Sequence, residues 1–588
     1  MPNIKIALCQ LNPTIGDFNG NLDKASAAIH DNDADIYVFP ECFVSNYPSG
    51  DLFLDRTFVA CAEEHLNEYQ KLVADNNKTI IIGAPRFATD PNKKAFNSAF
   101  LIDRHGISLA ADKRHLPNYG VFDDERWFTT SDKASNTVDY HDADGNLVAH
   151  ICICICEDIW FSDVIKEAAD RDNADFVISI NSSPYSIAKA AFRRKVFEDR
   201  VMESHIPLIY VNQVGGNDEL VWDGASAALD GHGNYHEMEP WKEGVSIVEL
   251  TKEHGGWKIA NSKAPVEQPF DMERYTAACI GLRDYVHKNG FKKVVLGLSG
   301  GADSALVGLM AADVFGVDNV DFITMPTRYT SGDSNDFAKL LGHGMGSGSR
   351  VHTVPVQTMV DTFLNGFTDT FGSQKPNVAE ENLQAQLRGD ILSFFSNKFS
   401  AMILSTGNKS EIAMGYATLY GDMRGGFNPL KDLYKTEVFE LLELRYRIGF
   451  NVLNDNVTQE DLSSHNVFSN AFGHDLVSLN SDAVEALRKT IDRPPSAELA
   501  EGQKDSDSLP DYAVLDKILW NMIDHKESLT DDQVAAETGF KLELVKSVRN
   551  RVRLMEYKRF QACPGPKIHR KAFIGLDWRH PMSSKFRA

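Results

Sequence analysis

Two α/β domains in series are what the 588-residue sequence predicts. Three observations point there. The first half alternates short apolar runs with stretches of helical spacing. A break rich in Pro, Ser and charge covers Asn261–Pro269. A fresh strand–turn–helix series then starts at Lys293. Short buried strands alternating with helices suit layered α/β cores, and a chain of this length suits two to four domains.

In order, Ile4–Gln10 reads as a strand, Leu22–Ile29 as a helix and Asp35–Pro40 as the next strand. Thr79–Gly83, Ala99–Asp103, His150–Cys156, Phe176–Asn181 and Pro207–Asn212 continue the strand series. Asp230-Gly231-His232-Gly233 reads as a turn between two strands. Beyond the break, Asp271–Asn289 has helical periodicity, and Lys293–Leu298 is a strand running into a glycine turn and a helix. Arg493–Tyr512, rich in Pro, Ser, Asp and Glu, reads as a surface loop or lid. The division implied is residues 1–262 and 263–588.

Composition narrows the function classes. The hydrophobic fraction of 43% is ordinary for globular protein. A formal net charge of −23 argues against a general nucleic-acid binder, whose affinity rests on clustered Lys and Arg, but not against a local nucleotide pocket. The Met1 end carries no secretory-type leader, and no run approaches the ~18 apolar residues of a membrane span. Eight cysteines in such a length are no disulfide framework, so a cytoplasmic location is expected. Cys152-x-Cys154-x-Cys156 lacks the further Cys or His ligands that a zinc site needs at suitable spacing.

Glu41, Lys113 and Cys156 each end a strand-like run, and strand ends meeting at one rim are where α/β sites are built. A thiol attacks as its thiolate, so it needs a base or a positive field. A carboxylate can take the proton. A lysine can keep that carboxylate charged and stabilise the oxyanion formed when an amide is attacked. Taken singly, each of the three reads as well as a buried small residue or a surface charge.

The surrounding motifs change that reading. Phe39-Pro40-Glu41, Lys113-Arg114-His115-Leu116-Pro117-Asn118-Tyr119 and Cys156-Glu157-Asp158-Ile159-Trp160 together resemble the Glu-Lys-Cys triad of the nitrilase superfamily, and more narrowly the glutaminase domain of NAD⁺ synthetases, over roughly residues 3–260. The resemblance implies a nitrilase-like α/β/β/α sandwich. In it Cys156 is the nucleophile, Glu41 the general base and Lys113 the electrostatic partner, with a glutamyl thioester as intermediate. It places glutamine on Tyr119, Ser183 and Lys189, and Cys152 and Cys154 in the packing. The family has a glutamate two residues after the phenylalanine of Tyr119-Gly120-Val121-Phe122. Here that position is Asp124 with Glu125 beside it, and either could order Lys113.

The second constellation is Gly297-Leu298-Ser299-Gly300-Gly301-Ala302-Asp303-Ser304. Adjacent glycines let backbone N–H groups approach phosphate, and a following helix adds its N-terminal dipole. Asp303 is unhelpful beside bare phosphate and makes sense as a ligand to Mg²⁺. The Walker ending Gly-Lys-Ser/Thr is absent. Ser-Gly-Gly-x-Asp-Ser instead resembles the N-type ATP pyrophosphatase loop, whose enzymes form an adenylate and release pyrophosphate.

Glu381–Arg388, Ser405–Glu411, Tyr420–Pro429 and Glu556–Arg559 with Gln561 extend the likeness to the synthetase domain of glutamine-dependent NAD⁺ synthetases, over roughly residues 270–582. That resemblance implies a doubly wound parallel sheet of the adenine nucleotide alpha hydrolase, Rossmann-like kind. The glycine loop and Thr406 would touch ATP, with Arg388 and Lys435 as phosphate partners. Asp303 and Glu411 would hold Mg²⁺, and Asn382, Glu411 and Lys558 would meet deamido-NAD⁺. Gln386 stands where the family often has arginine. The family's coupling of two sites through ammonia implies a tunnel and a homo-oligomer with the synthetase domains as the dimer core. Two other functions remain open at this level. One is a different glutamine-fed adenylating amidotransferase, of the GMP or asparagine synthetase type. The other is an amidase carrying a nucleotide-sensing module.

Overall fold

The computed structural model describes residues 3–586, except 89, 91–92, 132–134, 143, 254–255, 266, 347 and 576. The chain divides into two compact units. One comprises Met1–Asn217 with Val221–Glu267, and the other comprises Asp218–Leu220 with Gln268–Ala588.

Among the described residues, the strands up to the end of the first unit are β1 (Asn3–Gln10), β2 (Ile36–Val38), β3 (Thr79–Arg86), β4 (Phe96–Asp103), β5 (Gly106–Asp112), β6 (Thr137–His141), β7 (Leu147–Ile155), β8 (Phe176–Asn181), β9 (Leu208–Asn212), β10 (Val214–Asn217), β11 (Leu220–Asp223), β12 (Ala227–Leu229), β13 (Tyr235–Glu237), β14 (Gly244–Glu253) and β15 (Gly256–Ile259). β10 and β11 pair by themselves. The others form a seven-stranded sheet ordered β15-β14-β1-β2-β3-β4-β5 and a six-stranded sheet ordered β13-β12-β9-β8-β7-β6. In each, a parallel centre (β1-β2-β3 and β7-β8-β9) is flanked by antiparallel strands.

Alternation along the strands builds four layers. Ile151, Ile153 and Ile155 of β7 join Ile4, Ile6 and Leu8 of β1 in the core between the sheets. Cys152 and Cys154 point the other way and pack with Val164, Ile165 and Ala168 of helix Asp163–Arg171 and Phe197 and Val201 of helix Lys189–Ser204. On the far side, Ala7, Cys9 and Tyr37 pack with Ala25 and Ile29 of helix Phe18–Asp31 and Ala62, Leu66 and Tyr69 of helix Arg56–Val73. The layers therefore run α/β/β/α. Both central strand groups are buried on two faces, which is why they read as apolar runs.

The second unit is built on four parallel strands, β16 (Val294–Gly297), β17 (Val320–Thr324), β18 (Val351–Thr353) and β19 (Met402–Ile403), ordered β18-β17-β16-β19. Helices cover both faces. Val295 and Ile323 meet Ile391, Leu392 and Phe395 of helix Val378–Phe399. On the opposite face, helix Ala302–Phe315 comes so close at Gly308 that a Cβ there would lie 3.2 Å from the Phe322 ring. The strand order reverses between β16 and β19, and the crevice beyond such a switch point is where open α/β sheets bind ligands. Arg445 pairs with Asp313 at 3.0 Å in the core of this unit, and Asp313 also accepts Tyr275 Oη and Val477 N.

Candidate active sites

In the first unit the chain turns sharply after β2, and Glu41 sits buried at the start of the turn. Gly83 of β3 permits this. A Cβ on Gly83 would lie 2.2 Å from Cys42 N and 2.8 Å from Glu41 C, so only a bare α-carbon lets the strand pass. Glu41 Oε1 accepts Lys113 Nζ at 2.8 Å and Asn97 Nδ2 at 2.7 Å, while Oε2 accepts Ser182 N at 3.0 Å. Lys113, one residue past β5, also donates to Asp124 Oδ2 at 2.8 Å, and Tyr47 Oη donates to Asp124 Oδ1 at 2.7 Å. Asp124 is thus the carboxylate that orders Lys113. Glu125 is turned to an exposed contact with Asn118 Nδ2 at 3.2 Å.

Two buried carboxylates decide the charge of the lysine. Burial alone would push the Lys113 ammonium down, and Asp124 and Glu41 outweigh it, holding it well above the usual lysine value. Burial pushes the Asp124 carboxyl up while Lys113 draws it back. Cys156 follows β7 with φ 46°, in the left-handed region. It therefore leaves the alternation of the strand, and its direction does not follow from that of Cys152 and Cys154. Burial and then Glu41 push its thiol well up, against Lys113 and Lys189. The resting group is a thiol that needs a base to attack.

Asp158 ties these pieces together. Its Oδ1 accepts the backbone N–H of Arg114 at 3.0 Å and of His115 at 2.9 Å, and its Oδ2 accepts that of Ile155 at 3.1 Å. One side chain so links the segment carrying Lys113 to the turn carrying Cys156. Burial pushes it up to about 6.

Tyr119 and Lys189 interact electrostatically with the same thiol, and Ser183 is bonded elsewhere. Tyr119 is 59% exposed, and its hydroxyl donates to the buried Glu157 at 2.9 Å. Ser183 is buried, with its N–H on Asn212 Oδ1 at 2.9 Å. Lys189 Nζ donates to Pro184 O at 2.8 Å, and burial brings its ammonium down to about 8 despite Cys156, Asp223 and Glu157. Burial likewise raises Glu157, against the Tyr119 hydroxyl, Lys113 and Lys189. A carboxylate and an ammonium thus stand beside one nucleophile.

In the second unit, a cavity of about 500 Å³ opens beyond β16 and β19. Gly297, Leu298, Ser299, Gly300, Gly301, Ala302, Asp303 and Ser304 all line it, as do Arg388, Thr406, Lys435, Asn382, Glu411 and Lys558. Gly300 has φ 82°, and a Cβ on it would lie 2.2 Å from Ser334 O. Ser299 and Ser304 share a hydroxyl contact of 2.9 Å, and Gly301 N donates to Ser299 Oγ at 3.2 Å. Asp303 Oδ1 accepts Asn408 Nδ2 at 2.8 Å. The same Asn408 accepts Glu411 N at 3.0 Å as the N-cap of helix Lys409–Met414. Lys435 Nζ donates to Asp303 Oδ2 at 2.5 Å and lies 3.2 Å from Glu411 Oε1. Burial pushes Glu411 up to about 8, with Lys435 opposing and Asp303 and Asp505 adding to it.

The segment expected as a surface loop or lid forms part of the wall. Arg493–Leu499 and Asp505 line the cavity. Arg493 and Ser334 both donate to Glu498, and Gln384 Nε2 donates to Leu499 O at 3.0 Å. Asp505 accepts Tyr512 Oη at 3.0 Å and Tyr416 Oη at 3.3 Å. Arg388 Nε donates to Met325 O at 3.1 Å, and Thr418 Oγ1 donates to Asn382 Oδ1 at 2.9 Å. Lys558 Nζ donates to the carbonyls of Gly415 and Ala417. Gln386 caps Leu419 O at 3.4 Å.

Asn97, Ser182, Asp158 and Asp505 are absent from the sequence-derived set. Asp158 lay inside a recognised motif and had a signal. Asn97 had none, because its bond to Glu41 spans 56 positions.

Four layers around a buried acid–lysine–thiol cluster define the first unit as a carbon–nitrogen hydrolase, and the family model of that description matches residues 5–258. The model described as NAD synthase matches 274–456 and 477–562. Curated relatives span the whole chain. The glutamine-dependent NAD(+) synthetase of Xanthomonas campestris is 37% identical over 99% of this chain and 98% of its own length. That of Rhodobacter capsulatus is 38% identical over 99% of each. Among solved structures, the Acinetobacter baumannii glutamine-dependent NAD⁺ synthetase in complex with ADP is 32% identical, with 99% and 98% coverage and a TM-score of 0.70. A Cytophaga hutchinsonii synthetase at 19% identity shares the fold with a TM-score of 0.76 over 99% and 98%. The chain belongs to the glutamine-dependent NAD⁺ synthetase family.

Proposed function

We propose that this chain hydrolyses glutamine at Glu41, Lys113 and Cys156 and uses the ammonia to amidate deamido-NAD⁺ at the expense of ATP, giving NAD⁺, glutamate, AMP and pyrophosphate. The observation that carries the reading is the presence in one chain of a buried thiol–carboxylate–lysine cluster and a separate cavity lined by every residue assigned to the nucleotides.

In the glutaminase step Glu41 takes the Cys156 proton and the sulfur attacks the side-chain amide carbon. Lys113, locked by Asp124, stabilises the oxyanion. Glu41 returns the proton to the departing ammonia and then activates the water that cleaves the thioester. Glutamine is a zwitterion at its α-carbon. Glu157 with Tyr119 suits its ammonium and Lys189 its carboxylate, and Ser183 is the third residue assigned to the substrate.

In the synthetase step the backbone of Gly297–Ser304, Thr406 and Arg388 would hold ATP, and Asn382 and Lys558 would hold deamido-NAD⁺. The deamido-NAD⁺ carboxylate attacks the α-phosphorus, pyrophosphate leaves, and ammonia displaces AMP from the adenylate. Asp303 Oδ2 and Glu411 Oε1 converge on one point, and two hard oxygen donors with phosphates to complete the shell fit Mg²⁺. Held there by Asp303 and Glu411, such an ion would supply charge neutralisation as pyrophosphate departs.

A cytoplasmic homo-oligomer belongs to the same reading. Phe363, Phe367 and Phe371 stand four residues apart on helix Gln357–Phe371, each at least 41% exposed, and Phe394 is 73% exposed on Val378–Phe399. Such an apolar face on the synthetase unit suits a second copy. Among the described residues no helix is long and apolar enough to cross a membrane.

The test is NAD⁺ and pyrophosphate formation from deamido-NAD⁺ and ATP, with glutamine and separately with ammonium chloride. Asp303→Asn should abolish synthesis with both nitrogen sources and leave glutamine hydrolysis measurable. Near-normal synthesis by that variant would overturn the metal assignment. Failure of the unaltered protein with both nitrogen sources would overturn the function.

A further inference from the structure

Lys435, expected as a phosphate partner, is held by the two carboxylates assigned to the cation. As a phosphate partner it should face the ligand space beside the glycine loop. Instead its ammonium sits between the two carboxylates assigned to the cation, 2.5 Å from Asp303 Oδ2 and 3.2 Å from Glu411 Oε1. Its side chain is 4% exposed, so water screens these contacts little.

We propose that the Lys435 ammonium and the divalent cation are alternative occupants of one carboxylate cleft, so that loading the cation is an exchange in which Lys435 is expelled onto a phosphate of the nucleotide. The inference rests on the assignment of Asp303 and Glu411 as metal ligands.

Three observations support it. The carboxylates are held in place independently of Lys435. Asn408 donates its side-chain amide to Asp303 Oδ1 at 2.8 Å and its backbone N–H to Glu411 Oε2 at 3.4 Å, so each carboxylate keeps a partner when the ammonium leaves. Nor can the cleft keep both carboxylates charged with no cation between them, since like charges so placed repel. Finally, Lys435 stands at the first position of helix Lys435–Leu453, where its backbone N–H is fixed by Ser410 Oγ at 3.0 Å. The backbone stays anchored while the four-carbon side chain swings, and the Tyr512 ring, 5.4 Å from Nζ, forms one wall of its path.

The exchange makes cation and nucleotide binding interdependent. Without nucleotide, the cation must evict Lys435 with nothing to receive the ammonium. With nucleotide, the expelled ammonium meets phosphate oxygens. A cleft open about a tenth of the time raises an apparent Kd roughly tenfold, and a second ligand that stabilises the open form recovers that factor. One lysine thus gives the site a preference for the cation–nucleotide complex over the bare ion.

The experiment measures Mn²⁺ binding to the full-length protein by electron paramagnetic resonance, with and without a non-hydrolysable ATP analogue. Wild type should bind Mn²⁺ weakly alone and at least about tenfold more tightly with the analogue. Lys435→Met should bind Mn²⁺ alone about tenfold more tightly than wild type, and the analogue should add less than in wild type. Adding Asp303→Asn should remove the gain. Lys435→Gln, which keeps a polar end without charge, should behave as the methionine variant does and covers a failure of that variant to fold. Lys435 variants that bind bare Mn²⁺ no better than wild type would overturn the exchange. If wild type shows no binding sensitive to Asp303→Asn even with the analogue, the metal assignment itself fails, an outcome distinct from the first.

Discussion

The two sites handle buried charge in opposite ways. Around the thiol, Glu41, Lys113 and Asp124 have side chains at most 1% exposed, and each bonds to permanent partners from the chain. In the cavity, Asp303 and Glu411 are 18% and 16% exposed, and the cation between them is the ammonium of Lys435. The first arrangement is finished before the substrate arrives. An isolated buried charge is costly, so each is paired for good. The second stays provisional, because its ligands bring charges of their own and the chain must give up contacts to receive them. A site acting on one uncharged amide group can be prebuilt. A site that gathers a polyanion and a dication, as proposed for the cavity, must exchange contacts instead.

That contrast can be broken at several points. The largest effect belongs to Cys156→Ala, which should lower glutamine-dependent NAD⁺ formation by roughly 10⁴-fold or more. Synthesis from ammonium chloride at mildly alkaline pH should stay near wild type. A folded variant dead with ammonia would mean that the two sites are not separable machines. Glu41→Gln comes next. General base catalysis is worth on the order of 10²–10⁴-fold, and glutaminase turnover should fall by that much. A loss of only a few-fold would assign the proton transfer to another group.

Gly83→Ala tests whether prebuilding depends on backbone fit. The added methyl must move Cys42 or Glu41, and overpacking costs about 1–3 kcal/mol. Thermal unfolding of the first unit should come earlier and glutaminase turnover should drop, with ammonia-dependent synthesis kept. Unchanged glutamine turnover would show that the turn tolerates displacement.

The smallest effect is one of pH. The Lys189 ammonium is charged below about 8 and neutral above it. If it holds the substrate carboxylate, KM for glutamine should rise as pH climbs through about 8, while kcat changes less. Lys189→Met should raise KM at pH 7 and flatten its rise. Retention of the rise in that variant would move the titration elsewhere.

Much of this was legible in the sequence, for reasons that differ by residue. Both sheets' central strands lie buried on two faces, so β7 and β8 stood out as apolar runs. Glu41, Lys113 and Cys156 stood out because strand ends carry short motifs. Asp124 against Glu125 could not be decided from sequence. They are neighbours of like charge, and only the fold turns one inward to Lys113 and the other out to Asn118. Asn97 was invisible, and Ser182 stood beside the assigned Ser183 without its tie to Glu41 being legible, since polar residues that serve a carboxylate far along the chain leave no local pattern. The segment from Arg493 read as a surface loop or lid because its composition is polar. It is polar because its side chains bond one another and the cavity wall, as Glu498 does with Arg493 and Ser334.

Gly300 carries a consequence for anyone who scans this protein by saturation mutagenesis. Its α-hydrogen side faces the Ser334 carbonyl with no room for a methyl group. Every replacement would collide there before any ligand arrived, and the scan would rank the position beside the acidic and basic groups that do chemistry. Read by itself, that score would credit glycine with a part in the reaction. Intolerance at such a position measures steric fit, and only variants that keep the shape while changing the charge can tell the two apart.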